Sequence, residues 1–116
     1  MRATSVALLW PLLLLGGPAQ AEMSVEQYTQ KSGTSHMLDT VWLYGVQNGF
    51  AWANAYNGDR GLPPLYCQPE NLALTRDQVT NILDNFIKTD QGRALLNAEI
   101  SLVLLKALQH AFPCPH

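Results

Sequence analysis

The chain has 116 residues, a formal net charge of −2, and 47% apolar side chains, enough for one compact domain and too many for a disordered one. It has no basic cluster and no interleaving of aromatic with basic residues, which leaves nucleic-acid binding without support.

The first 21 residues differ from the rest. "MRATSVALLWPLLLLGGPAQA" carries one positive charge at Arg2 and an apolar run from Val6 to Leu15. It then breaks at Gly16-Gly17-Pro18 and ends in Ala19-Gln20-Ala21. This is the three-part pattern of a cleavable export signal, with small residues at −3 and −1. The apolar run is about half of the ~20 residues needed to span a bilayer. Residues 1–21 are therefore expected to be removed, leaving 22–116 as a single domain with no membrane attachment. Arg2 would leave with them, so six basic side chains would face nine acidic ones, a net charge of −3.

Four helical stretches come next, and no convincing strand, so the expected class is all-α: a small bundle of about four helices closed by one disulfide. The first helix is "SVEQYTQK", with Ser24 and Gln27 in capping-box register. After the linker "SGTS", a second helix is predicted over about 36–56. Leu38, Trp42, Gly45, Gly49, Trp52 and Tyr56 recur at alternating steps of four and three, one face of a helix. Met37, Val41, Tyr44, Val46, Phe50, Ala51 and Ala53 spread over the remainder, and no charge occurs between Asp39 and Asp59. Such a helix is expected to be buried on most sides. Gly45, Gly49 and Ala53 form a row of small residues, and each helical glycine costs roughly 1 kcal/mol against alanine. This leaves two readings. The helix is the central core element, or part of its surface pairs with a second copy, because so small a domain can hardly cover it on every side.

"NGDRGLPPLYCQPENLAL" can only be turns and extended chain. Thr75 then caps a third helix, with Gln78 in capping-box position and Asp77 in the first turn. Its inward stripe is Val79, Ile82, Leu83, Phe86 and Ile87. "TDQGRALL" allows one further turn. Asn97 is expected to cap the last helix, from Ala98 to about Ala111, with Ile100, Val103, Leu104, Ala107, Leu108 and Ala111 on one face.

Cys67 and Cys114 are the only cysteines, and an even count in an exported chain reads first as a disulfide. A metal site would want more ligands at short spacing, and His36, His110 and His116 form no cluster; no metal and no cofactor are expected. The last two helices are about 20 Å and 21 Å long. As an antiparallel hairpin they would return the chain end to the segment before Thr75. Pro113 stops the helix and turns Cys114 off its end, level with Cys67. The bridge should contribute about 4 kcal/mol on the chain-entropy model.

Catalytic chemistry is hardly indicated, and an enzyme is not expected. No nucleophile elbow or phosphate loop is present, and Asp39, Asp59, Asp77 and Asp84 read as solvated or helix-start charges. Binding is the better expectation. In "YNGDRGLPPLY", Asp59, Arg60, Leu62 and Tyr66 are candidate partner contacts on a loop stiffened by Pro63-Pro64. The bland alternative is a connector whose Leu62 and Tyr66 tuck into the core.

"GFAWANAYNGDRGLPPLYCQPENLALTRDQVTNIL" together with the later "LVLLKALQHAFPCP" resembles the Rap/Tai-type immunity proteins of type VI secretion systems. The similarity covers roughly 36–115, its most specific parts being "PPLYCQP", "LALT..Q" and "LV...AL..AFPC". The resemblance implies a small helical periplasmic protein, in several cases homodimeric, that neutralises a peptidoglycan-cleaving amidase toxin by occluding its active site. It also implies the Cys67–Cys114 pair. An acid-activated periplasmic chaperone, binding unfolded clients through apolar surface, is the alternative from another class.

Overall fold

A computed structural model describes residues 22–115. The export signal expected over 1–21 lies outside the described residues, as does His116. Five helices occur among the described residues: α1 (Val25–Gln30), α2 (Gly33–Asp59), α3 (Arg76–Ile87), α4 (Asp90–Arg93) and α5 (Ile100–Ala111). The small helical bundle expected from the sequence is thus the architecture observed, with no strand among the described residues and one extra helical turn. None of the helices is long and apolar enough to cross a membrane.

The chain begins by lying along the segment before α5. Val25 N donates to Ala98 O, Ile100 N to Met23 O, and Glu26 N to Leu96 O. Ser24 and Gln27 close the predicted capping box, and α1 buries Val25 and Tyr28. The same contact changes the start of α5. Asn97 does not cap it. Instead the Glu22 carboxylate accepts from Ser101 N (2.9 Å) and Ser101 Oγ (2.6 Å), an acid from a distant part of the chain set at the positive end of the helix.

The α3 helix starts as expected, with Thr75 and Gln78 bonded reciprocally. It buries Val79, Leu83, Phe86 and Ile87 against Ile100, Val103, Leu104, Ala107 and Leu108 of α5, with Leu43 of α2 completing the centre. The expected antiparallel hairpin of α3 and α5 is not what forms. The Phe86 ring, at the C-terminal end of α3, lies against His110 in the last turn of α5, with centroids 5.6 Å apart. An antiparallel pair would place Phe86 beside the start of α5. The chain instead makes one tight turn at α4, where Thr89 caps the helix by accepting from Gly92 N. A Cβ at Gly92 would overlap the carbonyl oxygen of Phe86, so only glycine lets α4 fold back so closely.

The disulfide joins Cys67 to Cys114, with Cα atoms 4.8 Å apart and a sequence separation of 47. The partners meet because the extended stretch 65–67 runs along the end of α5. Cys67 N donates to Phe112 O (2.9 Å) and Gln109 Nε2 to Leu65 O (3.1 Å).

The largest departure concerns α2, a rod about 40 Å long by its 27 residues. It is not buried on most sides. Its inward positions are Asp39, Thr40, Leu43 and Gln47, with Phe50 and Asn54 half-buried further on. The aromatic face expected from the periodicity points the other way: Leu38, Trp42, Trp52 and Tyr56 are all exposed, Trp52 to 77%. The inward stripe is the more polar of the two. Asp39 is a buried acid rather than a solvated one, held 3.1 Å from Lys31 Nζ. Asn54 is satisfied by backbone groups of residues 65 and 66.

Candidate protein-contact surface

Among the described residues, two exposed features of α2 stand out. The first is the turn at its C-terminal end. Asp59 is the last helical residue, Arg60 is the C-cap, and Gly61 takes a left-handed backbone (φ 67°) that reverses the chain. Leu62 N then returns to Asn57 O (2.8 Å). Two asparagines in the final turns of α2 hold residues 63–66 in place. Asn57 Nδ2 donates to Pro63 O (3.2 Å). The Asn54 amide bonds at both ends, accepting from Leu65 N at 2.7 Å and donating to Tyr66 O at 3.1 Å. With Pro63 and Pro64 fixing their own φ angles, the 57–66 segment has little freedom left.

Arg60 lies over the Tyr56 ring at 5.3 Å and its Nη1 donates to the Tyr56 hydroxyl (3.3 Å). This cation–π contact aligns the guanidinium without burying it. Asp59, Arg60 and Leu62 are therefore presented together to solvent. Tyr66 is not. It is 2% exposed and packs in the core beside Leu43 and the α5 residues, which removes it from any contact surface. Burial pushes its phenol up, an effect opposed by the neighbouring Gln47 amide, and its hydroxyl makes no hydrogen bond of normal geometry. The loop is thus half surface and half core: Leu62 faces out, Tyr66 in. Tyr56, which the periodicity places on the helix face, takes the position beside Arg60. Asn54 and Asn57 fix the course of the turn, a role that the sequence did not reveal. An asparagine pair three apart at the end of a helix, just before a Gly-Pro-rich stretch, is the signal that could have found them.

The second feature is the outward face of α2, to which Met37, Leu38, Val41, Trp42, Trp52 and Tyr56 contribute exposed apolar surface. Around Gly45 and Gly49 nothing approaches within 4 Å of where a Cβ would stand, so no packing within one copy requires either glycine.

The chain matches no family model, no curated protein and no solved structure.

The charged groups nearest the core fall into structural pairs. Tyr28 donates to Asp84 Oδ1 (2.9 Å), and its ring lies 5.4 Å from His36. Burial, then the hydrogen bond and the charge of Asp84, push the Tyr28 phenol far above its usual range, so it stays protonated as a donor. These groups line an open depression of about 320 Å³ with Lys31 and Lys88. Asp84 is thus half-buried and bonded, where the sequence suggested a solvated charge. No three of His, Cys, Asp and Glu come together as metal ligands among the described residues.

Proposed function

We propose that the protein is a periplasmic immunity protein of the type VI secretion class, which inhibits a peptidoglycan amidase by seating the 57–65 turn in its active-site cleft. The observation that supports this reading most is the pre-ordered turn. Asp59, Arg60 and Leu62 project from the end of a long helix, on backbone held by Asn54 and Asn57. A loop already in its bound shape avoids the ordering cost of binding, and an arginine beside an aromatic ring is a favourable anchor. The disulfide keeps the base of the turn against α5 and needs an oxidising compartment, in keeping with export. The amidase target rests on the sequence resemblance, and inhibition by occlusion needs no catalytic group of the inhibitor itself.

Arg60→Glu should weaken binding to a secreted cysteine–histidine amidase encoded beside this chain by roughly 30-fold, as titration calorimetry would read it. Unchanged affinity would remove the turn from the interface. A purified amidase that neither binds nor is inhibited would remove the immunity role.

The exposed apolar face of α2 favours a second reading, a periplasmic chaperone that holds unfolded clients in acid. Suppression of client aggregation at low pH, together with indifference to the amidase, would support that role instead.

A further inference from the structure

We propose that the open depression between α4 and the last turns of α5 is a binding site for a small organic carboxylate with a flat apolar body. The depression holds about 410 Å³ and is lined by Phe86, Gln91, Leu95, Lys106, Gln109 and His110. Part of this lining is apolar and part is hydrogen-bond donors. The buried Phe86 ring and the half-buried Leu95 supply the apolar part. Lys106 and His110 stand four residues apart on α5, hence one above the other on the same face. Both are exposed, as is Gln91 on α4. A lysine ammonium offers donors alone, and a glutamine amide offers two beside its oxygen.

Charge singles this place out. The depression beside Glu70, the one beside Asp84 and the one beside Asp77 each contain a carboxylate, and this one contains none. Every ion pair among the described residues uses Lys31, Arg76 or Arg93, so neither Lys106 nor His110 has an acid against it. The helix dipole favours cations near the end of α5, which accounts for their sign. It does not account for a gap beside them with an aromatic wall. Lys106 is the one permanent cation of the lining, so it matches a single negative charge and not two. His110 lies against Phe86 with ring centroids 5.6 Å apart, and a planar ligand body would extend that aromatic contact.

The walls are fixed before any ligand arrives. Thr89 Oγ1 donates to Phe86 O (2.6 Å) and Arg93 Nη1 to Lys88 O (2.7 Å), which holds α4 against the end of α3. The close approach of Gly92 carries Gln91 and Leu95 to one side of the gap. On the other side, Gln109 is held by Leu65 O. A preformed pocket of a few hundred Å³, apolar with a few converging polar groups, is the ordinary form of a small-ligand site. None of its lining residues belongs to the 57–65 turn, so the site stands or falls separately from the amidase reading.

The test is a titration of the isotope-labelled, disulfide-bonded chain at constant ionic strength, followed by nuclear magnetic resonance of the His110 ring. Sodium benzoate is the probe. Acetate lacks the flat body and benzyl alcohol lacks the charge, so these two are the controls. Benzoate should give saturable shifts with a Kd on the order of millimolar, and each control should bind at least about fivefold more weakly. Lys106→Glu should weaken benzoate binding at least about tenfold with the helical circular dichroism unchanged, whereas Lys106→Arg should stay within about threefold of the native chain. No saturable shift up to about 50 mM benzoate would overturn the site. So would binding that Lys106→Glu leaves undiminished. Acetate or benzyl alcohol binding as tightly as benzoate would overturn the ligand class, as would inorganic phosphate binding more tightly than benzoate.

Discussion

The α5 and α2 helices carry equally regular apolar stripes, yet one points its stripe into the core and the other away from it. In α5, Ile100, Val103, Leu104, Ala107 and Leu108 are buried, while Lys106, Gln109 and His110 occupy the other side. In α2 the most apolar stripe is the outer one, and the stripe against the core holds Asp39, Thr40, Gln47 and Asn54. Periodicity says which residues share a face. It does not say which face meets the rest of the molecule unless the opposite side is too polar to be buried. Lysine and glutamine settle that for α5. In α2 no charge lies between Asp39 and Asp59, so neither face is excluded, and the one acid near the core is satisfied by Lys31.

Truncation should separate the two helices most sharply. Leu104→Ala in α5 removes a fully buried side chain and should cost about 2–5 kcal/mol in urea unfolding. A loss below ~1 kcal/mol would mean that the core is not centred on α5. A middle-sized effect belongs to the polar inner side. Tyr28→Phe breaks the bond to Asp84 that ties α1 to α3 and should cost about 1 kcal/mol near neutral pH. Because the folded-state pKa of Tyr28 is raised, the native state binds the phenolic proton more tightly than the unfolded chain does. That stabilisation is complete below the unfolded value near 10 and is lost as pH rises from there toward the folded value. Unfolding midpoints should therefore fall in alkali for the native chain and fall less for Tyr28→Phe; parallel curves would contradict the assignment. The smallest effect is expected at Trp52→Ser. Measured at a dilution where single copies prevail, it should change stability by no more than ~0.5 kcal/mol, since the indole touches little of its own chain.

Much of this fold was legible in the residues. Both capping boxes are local patterns, Ser24 with Gln27 and Thr75 with Gln78, and both form. The α3 stripe faces inward as read, with Ile82 only half-buried. The cysteine pair was recoverable from its count, although the antiparallel hairpin offered as its geometric reason does not form. What was not legible depends on distant segments. Glu22 reaches the start of α5 across 79 residues, so no local pattern could displace Asn97 as the expected cap. Tyr66 and Leu62 share one loop and similar hydrophobicity, and only the course of residues 65–67 along α5 decides which is buried. On the candidate contact surface, Asp59 and Arg60 were readable as exposed, whereas Leu62 was equally readable as a core residue. The asparagines that fix them required knowing where α2 ends.

The Cys67–Cys114 bridge also sets a schedule. Its first sulfur emerges from synthesis 47 residues before its second, at ordinary elongation rates an interval of about 2–10 s. Throughout that interval Cys67 is an unpaired thiol, open to mixed disulfides with other proteins. The correct crosslink waits until α5 has been delivered and packed. Covalent closure therefore comes late in biogenesis, and a nascent chain interrupted before residue 114 is left without its crosslink.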